Sequence, residues 1–129
     1  MEDKEERTKC EKLWAKNKYL VLSKSHRDYL KIREYLKNDK ISFDLLQKKI
    51  EHAKNLRESI KDFNNAILHI WGYFKNSAND VEKKEIFMKL DQYNSGEIDQ
   101  KSVIDYINDV LLKKYPNNYL QDSTLLKGK

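Results

Sequence analysis

Apolar residues recur three or four positions apart along most of this chain, and that spacing places them on one face of a helix. One such stripe covers residues 45–60 (Leu45, Leu46, Ile50, Ala53, Leu56 and Ile60). Only one proline and three glycines occur in 129 residues, and these residues most disfavour a helix interior. The densest apolar run, residues 66–74, alternates too poorly for a half-buried strand. The spacing therefore predicts an all-α protein, a single compact bundle of about five to six helices.

Short polar residues indicate where several helices begin. Ser25, with Asp28 three residues later, resembles a capping box, and Ser42 can cap the next helix. Residues 61–65 are either a joint or another turn. The apolar run that follows predicts a central helix through about Lys75.

The C-terminal third carries its own boundary signals. Gly96 suits the left-handed end of a helix, and Asp99 can cap the last long helix. Four residues of that helix are predicted to face the core (Val103, Ile107, Val110 and Leu111). Pro116 ends it. Residues 1–129 are therefore expected to form one domain, with 116–129 as a C-terminal extension that is either docked or loosely attached.

Residues 91–102 read D-Q-Y-N-S-G-E-I-D-Q-K-S and resemble a calcium-binding EF-hand loop, with glycine at the sixth place. Such a loop needs oxygen ligands at six positions and a bidentate glutamate at the twelfth. Tyr93 stands at the third position and Ser102 at the twelfth, and neither fits. A helix end at Gly96 and a helix cap at Asp99 account for the same residues without a bound ion, so no metal is expected.

Other chemistries find no support in the sequence. Cys10 is the single cysteine, which excludes an internal disulfide and a multi-cysteine metal or iron–sulfur site within this chain. His26, His52 and His69 are isolated, with His52 interpreted as a surface residue and His69 as a core or cleft residue. Three glycines build no phosphate loop, so no cofactor is expected. No apolar run approaches 18 residues and the first residues are acidic, which predicts a cytoplasmic protein without a membrane segment.

The positive charge is concentrated in the N-terminal third. Residues 7–40 hold eleven Lys and Arg against four Asp and Glu, whereas residues 61–129 hold ten of each. Six of the basic residues are candidates for phosphate contacts (Lys12, Lys16, Lys18, Lys24, Arg27 and Lys31). Aromatic residues lie between them, and aromatic stacking combined with basic side chains is typical of single-stranded or loop RNA recognition. The alternative is that the aromatics are core and the lysines only solubilise the protein.

Two motifs resemble the YbgA-like family, a helical domain of unassigned function. Residues 13–25 read L-W-A-K-N-K-Y-L-V-L-S-K-S, similar to that family's L-W-x-x-H-K-Y-L opening, and residues 64–75 read N-N-A-I-L-H-I-W-G-Y-F-K, similar to its H-x-x-G-Y-F-K helix. Tyr93 and Gly96 match a Y-R-x-G turn, and residues 115–120 match the family's ending. The resemblance covers most of the chain. It implies a shared cleft for four motif residues, with a structural role as the alternative for each (Tyr19, His69, Tyr73 and Lys75).

The chain also departs from the family pattern. Asn17 stands where the family has histidine, and Asn94 stands where it has arginine. Ser123 and Leu125 replace a glutamine and a tyrosine near the C-terminus. If the replaced polar groups belong to the family's working surface, this member has an altered activity.

The resemblance implies a function outside catalysis. Related domains are often fused to a TudS-like thiouracil desulfidase that removes sulfur from 4-thiouridine in transfer RNA, and the helical part is proposed to hold the RNA. The expectation is a noncatalytic RNA-binding accessory domain with a desulfidase partner on a separate chain. Two alternatives stay open: a protein-interaction module that docks the partner without contacting RNA, and a stand-alone enzyme that uses His69 and Tyr73.

Overall fold

The computed structural model describes residues 2–128, which form helices joined by turns, with no strand among them. Six helices have seven residues or more: α1 (Glu2–Lys24), α2 (His26–Tyr35), α3 (Phe43–Lys54), α4 (Ile60–Trp71), α5 (Asp80–Asn94) and α6 (Gln100–Tyr106). A π-helical turn (Ile107–Leu111) and short helices α7 (Leu112–Lys114), α8 (Asn118–Gln121) and α9 (Thr124–Lys127) follow. The all-α prediction is confirmed, and these short segments exceed the five to six helices expected.

Side-chain caps fix where most of these helices begin. Each capping oxygen accepts a hydrogen bond from the backbone N–H three residues later (Ser25, Ser42, Ser59, Asn79, Asp99 and Asn117). Such caps satisfy backbone donors that have no partner within the helix. At Asn79 the arrangement is reciprocal, because the Glu82 carboxylate also accepts from the Asn79 N–H at 2.9 Å.

Residues 55–59 are the joint between α3 and α4, which the apolar spacing did not predict. The stripe of residues 45–60 was predicted as one helix, but α3 ends at Lys54 and Ser59 caps α4. Residues 61–65 therefore lie inside a helix. The central helix ends at Trp71 rather than near Lys75, and successive turns continue to residue 77.

The π-helical turn changes which residues of the last long helix face inward. Ile107 and Leu111 are buried, and Leu112 immediately after them is also almost fully enclosed. Val110 is 38% exposed, so the prediction that it faces the core is wrong. A π-helical turn adds one residue to a helical turn, and the extra residue rotates Val110 outward.

Two groups of buried side chains share helix α1. The smaller one, the α1–α3 core, contains Cys10, Val21, Ile32, Leu46, Ile50 and Ala53. The larger one, the main core, lies around α4 with Phe63, Ile67, Ile70 and Phe74 at its centre. Tyr19 and Leu22 of α1 belong to the main core while Cys10 and Val21 of the same helix belong to the α1–α3 core. Helix α1 therefore presents one face to the main core and a different face to the α1–α3 core.

Residues 116–128 pack against α1 instead of hanging free. Leu120, Leu125 and Leu126 are buried in the main core. The Thr124 hydroxyl donates to Asn17 Oδ1 at 2.8 Å, and Asn108 Nδ2 donates to the Leu126 carbonyl at 2.7 Å. The described part of the C-terminal extension is thus docked. Within residues 2–128, no helix is long and apolar enough to cross a membrane.

Candidate nucleic-acid interface

Three tyrosines from distant parts of the chain meet where α1, the turn after α4 and α8 come together. We call Tyr19, Tyr73 and Tyr119 the tyrosine cluster. The rings of Tyr73 and Tyr119 are stacked, with centroids 6.2 Å apart and planes 23° apart. Tyr19 meets both of them edge-on, at 6.3 and 6.4 Å. Tyr19 is buried and Tyr119 is half-buried, but Tyr73 is 42% exposed, so the cluster offers an aromatic surface to solvent.

The hydroxyls of Tyr19 and Tyr73 are hydrogen-bonded to each other at 3.0 Å. Burial, reinforced by this hydrogen bond, raises the pKa of Tyr19 well above its ordinary value of 10.0. The Tyr19 hydroxyl therefore stays protonated at neutral pH. It can hold Tyr73 in place, but it cannot act as a phenolate base or nucleophile.

Lysines surround the tyrosine cluster. The Lys18 ammonium lies 5.3 Å from the ring centroids of both Tyr19 and Tyr119, within the range of a cation–π interaction. Lys12 and Lys16 line an open cavity of about 270 Å³ together with Tyr119. Asp122 also borders this cavity. Three of the six predicted phosphate-contacting residues thus lie beside the aromatic rings of the cluster.

The other three candidates lie elsewhere. Lys24 is half-buried at the end of α1, where its ammonium donates to the Leu56 carbonyl at 3.1 Å and supports the α3–α4 joint. Arg27 and Lys31 lie on α2. Lys31 borders a pocket between α2 and α3. Of the six candidates, three therefore lie beside the tyrosine cluster, two lie on α2, and Lys24 makes a structural contact.

His69 and Lys75 were expected to share a cleft with Tyr19 and Tyr73. Tyr19 and Tyr73 do meet, whereas His69 and Lys75 are exposed and make no side-chain hydrogen bond or ion pair with any described residue. His69 lies beside the buried stripe of α4 formed by Ala66, Ile67, Ile70 and Trp71. The interpretation of His69 as a core histidine is therefore wrong, and a direct contact between His69 and the tyrosine cluster is not seen.

Two departures from the family pattern have structural roles. Asn17 is buried, and its amide donates to the Leu13 carbonyl at 2.9 Å while its oxygen accepts from Thr124. The amides of Asn64 and Asn94 are hydrogen-bonded to each other, with the shorter contact at 2.6 Å. This pair ties the first turns of α4 to the last residue of α5. Ser123 and Leu125 are both buried in the docked segment.

The stretch that resembles a calcium loop is a helix end and a helix start. Tyr93 is buried and belongs to α5, Gly96 has a φ of 83°, and the Asp99 carboxylate caps α6. The backbone N–H of Ser102 donates to that carboxylate at 3.0 Å, which lowers the pKa of Asp99. Asp99 is therefore already engaged by the backbone in this structure.

Tyr119 is the site residue that sequence reasoning missed. Its motif, Y-P-N-N-Y-L, was noticed, but the residue was not assigned to the surface because about 100 positions separate it from Tyr19. Only the docking of α8 on α1 brings the two rings together. The spacing of residues within one segment cannot predict a contact between side chains of two distant helices.

Comparison with known protein families shows which family this chain belongs to. Residues 18–128 match a family described as a protein of unknown function (DUF1722). This chain belongs to the DUF1722 family. The resemblance to the YbgA-like family, which is a DUF1722 family, is thereby confirmed. No curated protein and no solved structure matches the chain. All three residues of the tyrosine cluster and Lys18 lie within the matched DUF1722 range, whereas Lys12 and Lys16 precede it.

Proposed function

We propose that this DUF1722 protein is a noncatalytic RNA-binding domain that holds transfer RNA through the tyrosine cluster and its lysines. The observation that carries the proposal is the stacked pair of Tyr73 and Tyr119, open to solvent at Tyr73 and flanked by the Lys18 ammonium. An unpaired base can stack on an exposed aromatic ring, and nearby lysines can neutralise the adjoining phosphates.

The arrangement around Tyr73 suits a binding role better than a catalytic one. Tyr73 is held by the buried Tyr19 hydroxyl and by the Tyr119 ring, so an incoming base meets a ring that is already fixed. A preorganised ring loses little conformational freedom on binding. Because the Tyr19 hydroxyl stays neutral, it supplies no base for proton abstraction.

The partner we propose is a TudS-like desulfidase on a separate chain, which would act on 4-thiouridine in the transfer RNA held here. The measurement for this part is the 4-thiouridine content of cellular transfer RNA with and without the protein. Under this proposal, removal of the protein raises the 4-thiouridine content, because the desulfidase that removes sulfur from this nucleoside loses the domain that holds its transfer RNA. An unchanged content contradicts the desulfidase partnership, whereas RNA binding is measured separately on the purified protein.

The substitution Tyr73→Ala tests the stacking surface. We expect it to weaken transfer RNA binding by about 1–3 kcal/mol, roughly 5- to 150-fold in Kd, because one base loses its stacking partner. The matched variant Tyr73→Phe keeps the ring and is expected to bind within about threefold of the original protein. Fluorescence anisotropy with labelled transfer RNA measures both. Equal binding by all three proteins would show that the tyrosine cluster is not the RNA surface.

Charge reversal tests the lysines separately. Lys16→Glu with Lys18→Glu should weaken binding and lower the slope of log K against log salt by about 0.7–0.9 for each phosphate that is no longer neutralised. The control is Lys83→Glu with Lys84→Glu, two exposed lysines on α5. The control pair changes the net charge equally, so a similar weakening in both proteins would indicate only nonspecific attraction.

A second candidate function is protein docking, which exposed apolar side chains on α4 and α5 favour. Trp71 and Phe87 meet edge-on at 6.2 Å, Phe87 is 39% exposed, and Leu68 nearly one turn before Trp71 is 44% exposed. Co-purification of a desulfidase that survives nuclease treatment and is abolished in Phe87→Lys would favour this role. Transfer RNA binding by the isolated protein would still identify RNA as the ligand of the tyrosine cluster.

A further inference from the structure

A second basic site lies between α2 and α3, apart from the tyrosine cluster. Six side chains line a pocket of about 290 Å³: Asp28, Lys31, Ile32, Lys48, Lys49 and His52. Ile32 is 2% exposed and belongs to the α1–α3 core, so the pocket has an apolar floor. We call this site the α2–α3 pocket. Of the three lysines, only Lys31 was predicted to contact phosphate, because the excess of positive charge in the sequence lies in residues 7–40.

The charges in the α2–α3 pocket are unbalanced. Three lysines face one carboxylate, and none of the three lysines forms an ion pair with a carboxylate among residues 4–128. The Lys49 ammonium lies 5.1 Å from the centroid of the Tyr35 ring and donates no hydrogen bond to a described residue. A nearby cavity that contains Lys9, Lys12 and Lys16 also contains Glu6 and Asp44, so its charges are closer to balance.

The single carboxylate of the pocket is turned toward its histidine. Asp28 Oδ2 is buried and accepts no hydrogen bond from a described residue, and the nearest cationic group is His52 Nε2 at 3.7 Å. Lys48 also borders a neighbouring cavity with Asp44 and Glu51, but within the α2–α3 pocket the lysines outnumber the carboxylate three to one. Such an excess of positive charge attracts anions.

We propose that the α2–α3 pocket binds a phosphate group through Lys31, Lys48 and Lys49. Ammonium groups are good partners for phosphate because they combine full charge with several hydrogen-bond donors. The phosphate is carried either by a small phosphorylated molecule or by an RNA backbone that extends past the tyrosine cluster. The site does not depend on the proposed RNA-binding function, because its lysines and walls belong to α2 and α3.

The test is a titration of the full chain with inorganic pyrophosphate, followed by nuclear magnetic resonance at fixed pH. Sodium chloride of equal ionic strength is the parallel titration. We expect saturable shifts at the His52 imidazole and at the amides around Lys31 and Lys49. The His69 imidazole, on α4, serves as the internal reference and should move only as it does in chloride.

Two variants with opposite expected effects on pyrophosphate affinity, and one control, test the proposal. Lys31→Gln with Lys49→Gln should weaken pyrophosphate binding by about fivefold or more, whereas Asp28→Asn should tighten it by about two- to fivefold, because a repelling charge is removed. Lys83→Gln with Lys84→Gln is the matched control and should bind like the original protein. A variant that is misfolded cannot show the tighter pyrophosphate binding expected from Asp28→Asn.

Competition by RNA then identifies the source of the phosphate. If transfer RNA displaces pyrophosphate from His52 and the lysines, the RNA backbone supplies the group. If both bind together, the source is a small phosphorylated molecule. The proposal is overturned if pyrophosphate shifts these signals no more than chloride does, or if the double lysine variant responds like the original protein.

Discussion

Glu82 is an acidic residue enclosed by three hydrogen-bond donors. Its carboxylate accepts from the Tyr115 hydroxyl at 2.7 Å, the Asn79 N–H at 2.9 Å and the Lys114 ammonium at 3.1 Å. These bonds, the one from Asn79 foremost, lower the pKa of Glu82 below its ordinary value of 4.5. One side chain therefore both caps the start of α5 and anchors the end of the last long helix.

The substitution Glu82→Gln tests this anchor. A group whose pKa is lower in the folded state stabilises the fold above its unfolded pKa and loses that contribution as the pH falls. We therefore expect the original protein to lose stability below about pH 4.5, the ordinary value, and the variant to lose less over the same range. At pH 7 the variant should unfold at lower urea concentration, because its amide N–H groups face other donors.

Urea unfolding followed by circular dichroism between about pH 3 and pH 7 measures both effects. Glu97→Gln, which changes an exposed glutamate, is the control. Parallel pH profiles for the original protein and Glu82→Gln would contradict the assignment.

At the scale of elements, α8 and α9 are too short to be stable alone. Each has four residues, and isolated helices of this length do not form in water. Burial of Leu120, Leu125 and Leu126 in the main core stabilises them, and the contact of Thr124 with Asn17 fixes their position. The docked segment is therefore part of the core, and it places Tyr119 on the tyrosine cluster.

Leu120→Ala is expected to lower the free energy of unfolding by about 2–4 kcal/mol, because a fully buried leucine leaves a cavity. Leu68→Ala, at a leucine that is 44% exposed, should change it by no more than about 0.5 kcal/mol. Urea denaturation compares the two. If Leu120→Ala were as mild as Leu68→Ala, the docked segment would not contribute to the stability of the fold.

At the scale of the whole molecule, helix α1 couples the α1–α3 core to the main core. Cys10 and Tyr19 lie on this one helix and are buried in different cores. Burial, followed by the nearby Glu6 charge, raises the pKa of the Cys10 thiol, which keeps it unreactive in the folded protein. Reaction of Cys10 thus reports opening of the α1–α3 core.

The shared helix predicts that both cores unfold together. In a Trp14→Phe background, Trp71 fluorescence follows the main core while the reaction of Cys10 with a disulfide reagent follows the α1–α3 core. We expect the same urea midpoint from both probes. For a stability of about 5 kcal/mol, the thiol should react about 5,000-fold more slowly in the native protein than in the unfolded chain. A Cys10 transition at lower urea would show that the α1–α3 core opens by itself.

The sequence predicted what local chemistry determines. Ser25, Ser42 and Asp99 act as caps because a cap depends only on a side chain and the next three residues. The α3–α4 joint was missed because Leu56 and Ile60 continue the apolar spacing. The exposure of Val110 was missed because a π-helical turn depends on packing rather than on periodicity. The exposed position of His69 and the arrival of Tyr119 were likewise set by how the helices pack.

The contact between Thr124 and Asn17 also bears on synthesis at the ribosome. It joins residues 107 positions apart, and α1 emerges long before α9 exists. The part of the main core that Leu120, Leu125 and Leu126 fill stays uncovered until α8 and α9 have been made, and transiently exposed apolar surface is prone to aggregation. The tyrosine cluster is likewise incomplete until Tyr119 has emerged. Nascent chains that stall before residue 118 therefore expose apolar surface and lack the complete aromatic surface proposed to bind RNA.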